Sequence, residues 1–241
     1  MGSSAHSSGG RRRLAAGLVV SFLCAAPAVA LPAVGAEAQP TLRPEGGLEV
    51  ANCEPCTFLV ARDAPPRAVT FVVEDRPGGW RAVRELRVTR APETAPPQVL
   101  PVEGMAPIGP GQTFFLGAAD VNFDGYADLY LATSRGGANA YAEYWLFVPS
   151  TGELSPLGRY PIFTRDPATK TLSTFERGGE AGLLYRKQKY RFVKGALTRV
   201  ESEIQEETGR PGVYRRKTFR LTGGKLRLAR TEIVKAPAPR P

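Results

Sequence analysis

From residue 69 to residue 234 the chain is a succession of short apolar runs separated by turn-forming residues, and that rhythm excludes a helical bundle. The clearest runs lie at residues 69–73, 82–89, 113–118, 128–133 and 144–148, then at 172–175, 183–193, 196–204, 212–221 and 226–234. Several alternate with period two. In Lys189-Tyr190-Arg191-Phe192-Val193 the two aromatics fall on one strand face, with Lys189, Arg191 and Val193 on the other. Lys194-Gly195, Gly223-Gly224 and the stretch from Thr208 to Gly212 supply the turns, and the abundance of glycine (26) and proline (22) fits many such connections. The expectation is an all-β antiparallel meander. Long meanders hide their open edges by closing into barrels or propellers or by packing as sandwiches, and the pattern of runs does not choose among these. No motif recurs at a fixed period.

The N-terminal end reads as a signal peptide over residues 1–36. Arg11, Arg12 and Arg13 precede an apolar stretch at 14–26 that is too short to span a bilayer, and small-x-small sites place cleavage after Ala30, Ala36 or Ala38. The protein is therefore expected in the periplasm or secreted, with no transmembrane span once mature. A lipid anchor through Cys24 is disfavoured, because Phe22 and Leu23 stand where a lipobox wants small residues. Residues 37–50 are Pro/Gly-rich and read as a tether; residues 51–241 read as a single β domain. Cys53 and Cys56 are left as an even pair in an oxidising compartment. A strand-like run, Thr57-Phe58-Leu59-Val60, follows them where a redox motif would need a helix, so a small structural disulfide is expected.

His6 is the only histidine, and its loss with the signal peptide removes Ser-His-Asp, Cys-His and His-metal chemistry together. No acidic pair with an evident catalytic role stands outside the loop described below, and the chain is not expected to be an enzyme. The formal charge is +9. It is concentrated in residues 181–241, where 16 basic and 5 acidic side chains offer either a basic face for an acidic partner or the wet side of C-terminal strands. The basic residues match no nucleic-acid-binding motif, and nucleic acid is not an expected partner.

The sharpest motif is Asp120-Val121-Asn122-Phe123-Asp124-Gly125-Tyr126-Ala127-Asp128. Oxygen side chains occupy positions 1, 3, 5 and 9 with glycine at 6, the first three-quarters of an EF-hand loop. A hard cation wants six to eight oxygens, which alternate residues of a tight loop can supply together. Asp120, Asn122, Asp124, the Tyr126 carbonyl and Asp128 are the candidate ligands, and oxygen-only donors favour Ca²⁺. Position 12 is Leu131 rather than glutamate, and both flanks are strand-like, so the loop should join two strands.

This loop resembles the calcium loops of FG-GAP/VCBS repeats, as in integrin α-chains. The wider stretch from Phe115 to Tyr190 is similar to the calcium-binding immunity proteins of bacterial-killing type IV secretion systems, which are related in kind to periplasmic lysozyme inhibitors. The segments that carry this resemblance are Leu131 to Tyr141, Tyr144-Trp145-Leu146-Phe147, Gly158-Arg159-Tyr160-Pro161 and Glu176-Arg177-Gly178-Gly179. The resemblance implies a propeller-like β fold, a bound Ca²⁺ and inhibition of a lysozyme-type peptidoglycan hydrolase in the periplasm. Ser134, Arg135, Gly136, Gly137, Asn139 and Tyr141 would form the inhibitory loop. Its glycines permit close approach and Arg135 could meet a catalytic carboxylate. Tyr144, Trp145 and Phe147 read instead as core. The alternative is a carbohydrate- or adhesion-type surface module that uses the calcium loop structurally.

Overall fold

Alternating apolar and polar residues draw the chain into three sheets. The computed structural model describes residues 39–90, 95–134 and 139–236; the signal segment 1–36, with Cys24, lies outside them. The first sheet runs in the order β1 (Thr41–Leu42), β3 (Cys56–Phe58), β4 (Arg67–Arg76), β5 (Trp80–Arg90) and β6 (Gln98–Pro101). The second runs β10 (Glu153–Pro161), β9 (Tyr141–Val148), β8 (Asp128–Ser134), β7 (Phe114–Ala119) and β2 (Gly46–Val50). The third is a meander in chain order: β11 (Thr164–Asp166), β12 (Thr171–Arg177), β13 (Tyr185–Val193), β14 (Ala196–Glu207), β15 (Val213–Thr222) and β16 (Lys225–Lys235).

All neighbouring strands are antiparallel except β1 and β3, which pair in parallel. The all-β expectation holds, but no sheet closes on itself, and the three sheets take an open, sandwich-like form rather than the propeller-like one expected or a barrel. Among the described residues, no helix is long and apolar enough to cross a membrane.

The second sheet is the middle layer, and β9 shows why. Its sequence, YAEYWLFV, is buried on both sides. Trp145 and Phe147 join the larger core, packed with Phe58, Phe71, Leu86 and Leu131 between the first and second sheets. Ala142 and Tyr144 face the other way, into a smaller cluster with Leu172 and Tyr190 of the third sheet. A strand covered on both faces has no polar side to show, so its sequence reads as a continuous apolar run. Tyr190 and Phe192 do share the inner face of β13, while Lys189, Arg191 and Val193 lie exposed.

Residues 41–50 are not a tether. β1 adds to the first sheet with Leu42 fully buried, and β2 pairs along β7 from Gly46↔Ala118 to Val50↔Phe114. One short segment thus belongs to two sheets. Gly47 serves packing: a Cβ there would stand 2.5 Å from Cζ of Phe115, whose ring lies across the glycine.

Cys53 and Cys56 form the expected disulfide, fully buried, with Cys56 opening β3. So short a closed loop stabilises the fold by about 2 kcal/mol on the chain-entropy account. Asn52 Oδ1 accepts from the Cys53 amide at 2.9 Å, and Cys53 O accepts from Phe71 N at 3.0 Å, which ties the corner to β4.

Trp145 is the largest fully buried side chain, centred on the doubly covered strand. Trp145→Ala should lower the free energy of unfolding by about 3–5 kcal/mol, measured by urea denaturation. A loss below about 1 kcal/mol would contradict this account of the core.

Candidate metal centre and the adjoining hairpin

The loop of residues 120–127 turns the chain from β7 into β8, between two strands as its flanks predict. Its reversal needs left-handed backbone, which Gly125 adopts at φ 95° and Phe123 at φ 62°. The oxygens bind the loop's own amides. Asp120 accepts from Asp124 N at 3.0 Å (Oδ1) and from Gly125 N at 2.9 Å (Oδ2). Asn122 Oδ1 accepts from Asp124 N at 3.1 Å, and its Nδ2 donates to Asp124 Oδ2 at 2.9 Å. Asp124 Oδ1 accepts from Tyr126 N at 2.9 Å. Short polar side chains are suited to such local bonds, and these curl the loop on itself.

Asp128 behaves differently. It is fully buried, and both of its oxygens are occupied. Oδ2 accepts from Val121 N at 2.8 Å and Asn122 N at 3.3 Å; Oδ1 accepts from Phe147 N at 2.8 Å. One carboxylate therefore ties the start of the loop to the central strand β9. Burial pushes its carboxyl up to about 7, against the lowering effect of those amides and with help from the nearby charge of Asp124.

The donor set can be tested against the expected cation. Asp120, Asn122 and Asp124 are the loop side chains that remain open to solvent, and with the Tyr126 carbonyl they are the oxygens a hard ion would meet. Among the described residues, no three His, Cys, Asp or Glu side chains form a ready metal cluster. The fit therefore depends on Asn122 and a main-chain oxygen as much as on carboxylates, and Asp128 acts here first as a brace.

The second expected element follows after β8. Ser134 ends that strand; Arg135, Gly136 and Gly137 lie outside the described residues. The remaining two residues are anchored. Asn139 Nδ2 donates to Arg177 O at 3.0 Å, and its Oδ1 accepts from Arg177 N at 2.7 Å. Tyr141 donates its hydroxyl to Glu176 Oε1 at 2.5 Å, and the Arg159 guanidinium lies over its ring at 5.0 Å. The Glu176 carboxylate holds the Tyr141 phenol above its usual value by accepting that proton. Both residues fasten the hairpin to the end of β12, so their place is at its base.

Three residues near these elements had not been singled out. Glu45 accepts from Asp120 N at 3.1 Å through Oε1 and pairs with Arg165 through Oε2, linking positions 120 residues apart. Arg165 also lies over the Phe123 ring at 5.4 Å. No local pattern announces that contact. Glu143 did carry a signal, an acid on the same strand face as Trp145 and Phe147. It is buried with Oε2 unpartnered, and burial, reinforced by Glu103, raises its pKa.

No family model and no curated protein matches the chain. A solved structure described as a Xanthomonas type IV secretion system related protein is similar in fold, with a TM-score of 0.51 and 14% identity. The superposition covers 77% of this chain and 94% of that one. At that identity the likeness is one of architecture.

Asp128→Ala leaves three buried or half-buried amides without an acceptor. It should lower the unfolding free energy by about 3 kcal/mol or more, a loss read by chemical denaturation. The raised pKa also sets a pH dependence. In chelator the stability this group contributes is complete below 3.8 and declines as pH rises through about 7. Asp128→Asn, with nothing to titrate there, should lack that part of the decline.

Proposed function

We propose that the chain is an exported, calcium-stabilised inhibitor that blocks a lysozyme-type peptidoglycan hydrolase and so protects a bacterial cell wall. The observation that carries this reading is the placement of the oxygen-rich turn. It lies at one end of the single strand β8, whose other end opens the hairpin anchored by Asn139 and Tyr141. Its support from outside the chain is the fold shared with a protein described as related to a type IV secretion system.

In this reading the residues divide the work. Asp120, Asn122, Asp124 and the Tyr126 carbonyl hold Ca²⁺, which when bound offsets the repulsion between the two carboxylates. Asp128 fixes the loop to β9, and β8 transmits that rigidity to the hairpin. Asn139 and Tyr141 are held on the end of β12. Arg135 carries the charge suited to a catalytic carboxylate of a muramidase cleft, and Gly136 and Gly137 remove side chains that would keep the backbone away. The disulfide and the signal segment agree with a periplasmic or secreted location.

Two experiments test this. Calcium should raise the melting temperature of the purified mature chain, EGTA should lower it, and Asp124→Ala should abolish the response. A wild-type protein indifferent to both reagents would remove the metal. The same protein should inhibit cell-wall lysis by lysozyme-fold hydrolases in a turbidity assay. Arg135→Ala should weaken that inhibition about tenfold or more with an unchanged melting temperature. Failure to inhibit any member of a broad hydrolase panel would overturn the inhibitory role.

A further inference from the structure

The third sheet covers only part of the middle one. It packs on β9 through Leu172 and Tyr190, while the outer face of β2, β7 and β8 is left open, and there the structure holds a cavity of about 480 Å³. That size lies within the range usual for small-ligand sites, roughly 300–1,000 Å³. Its wall is aromatic. Phe115, Tyr130, Tyr144 and Phe163 form a continuous series, with centroids 6.0, 5.3 and 4.9 Å apart. Two glycines let the first two rings lie across the sheet. A Cβ on Gly47 would stand 2.5 Å from the Phe115 ring, and one on Gly117 would stand 2.1 Å from Cζ of Tyr130. Phe115, Tyr130 and Phe163 are only half-buried, so their edges and faces remain within reach of a ligand.

The opposite rim is charged. Arg165 spends one hydrogen bond on Glu45, and its Nε makes none; the guanidinium otherwise rests on the Phe123 ring. Nε is buried, so it is the terminal nitrogens of this largely buried guanidinium, one of them paired with Glu45, that border the cleft. Glu45 is more than half exposed and faces the same space.

We infer that this cleft is a binding site for a pyranose sugar. A sugar ring has an apolar C–H face and a rim of hydroxyls, and the cleft offers both counterparts. The aromatic wall takes the ring face, while Glu45 accepts from a pair of hydroxyls and Arg165 donates to their oxygens. A wholly apolar ligand would leave that ion pair desolvated and unpaid, and a phosphate or sulfate would meet the Glu45 carboxylate. The Tyr130 hydroxyl, with no fixed partner in the described structure, is a further donor at the same opening. This site does not use the hairpin, although Glu45 joins it to the oxygen-rich loop through the Asp120 amide.

The test is a titration of the whole mature chain with chito-oligosaccharide, followed by NMR. The expected result is a saturable shift confined to resonances of residues 45–47, 115–119, 130 and 163–165. Tyr130→Ala and Glu45→Gln should each weaken the affinity about tenfold. Gly117→Ala, which lifts the Tyr130 ring off the sheet, should weaken it too, with both strands still paired. Melting temperatures of the variants separate loss of the cleft from loss of the fold. Absence of saturable shifts at tens of millimolar sugar overturns the proposal. So does a shift pattern that maps elsewhere, or tighter binding of a short peptide at the cleft than of the sugar.

Discussion

The carboxylate of Asp128 is the point on which the working end of this protein turns. It sits at the start of β8, buried among apolar residues, and accepts from two amides of the loop behind it and one amide of the strand beside it. A buried carboxylate with no cationic partner is costly, and it persists where several N–H donors converge on it. Here those donors come from two elements, so one side chain fixes the loop relative to the central sheet. The oxygens of Asp120, Asn122 and Asp124 are left on the outer side of the turn it braces.

That brace matters because the middle sheet supports everything else. Trp145 and Phe147 hold the first sheet, Tyr144 and Ala142 hold the third, and β2 and β7 close the edge with a segment that also belongs to the first sheet. The third sheet depends on this differently. Beyond β13 it carries the basic excess, and a few of those charges are met across strands. Lys217 reaches Glu206 at 2.5 Å, Arg220 reaches Glu201 at 3.2 Å, and Arg216 reaches Glu232 at 3.8 Å. Exposed pairs of this kind contribute about 0–1 kcal/mol each, so they set strand register more than stability.

Much of the meander was legible in the sequence because its strands alternate. The ten short apolar runs, several of them alternating, each fall within or overlap a strand, and the loop between β7 and β8 stood out because alternating oxygens with a glycine have few other uses. What escaped has a physical reason in each case. β1 is only two residues long and β2 opens on two glycines, of which Gly47 is there to admit an aromatic ring, a purpose invisible without knowing that Phe115 lies opposite. Asn139 and Tyr141 have the composition of a contact loop, yet their partners Arg177 and Glu176 lie more than thirty residues away, and only the fold assigns those bonds. Asp128 fits the ligand spacing as well as it fits a brace, and burial decides which role it plays first.

The Glu45–Arg165 pair shows how distant parts of the chain converge on one end of the molecule. Glu45 uses one carboxylate oxygen on the Asp120 amide and the other on Arg165, and Arg165 lies over Phe123. The loop is therefore joined to the aromatic cleft by a hydrogen bond, an ion pair and a ring contact. Any change in how Asp120 is held must alter the acceptor that Asp120 N meets, and with it the position of the guanidinium at the cleft rim. The two features meet at Glu45, which borders the cleft and accepts from the first amide of the loop. Coupling between sites needs a shared element that both can shift. In this fold Glu45 is the residue that the loop and the cleft have in common, its two carboxylate oxygens meeting the Asp120 amide and the Arg165 guanidinium.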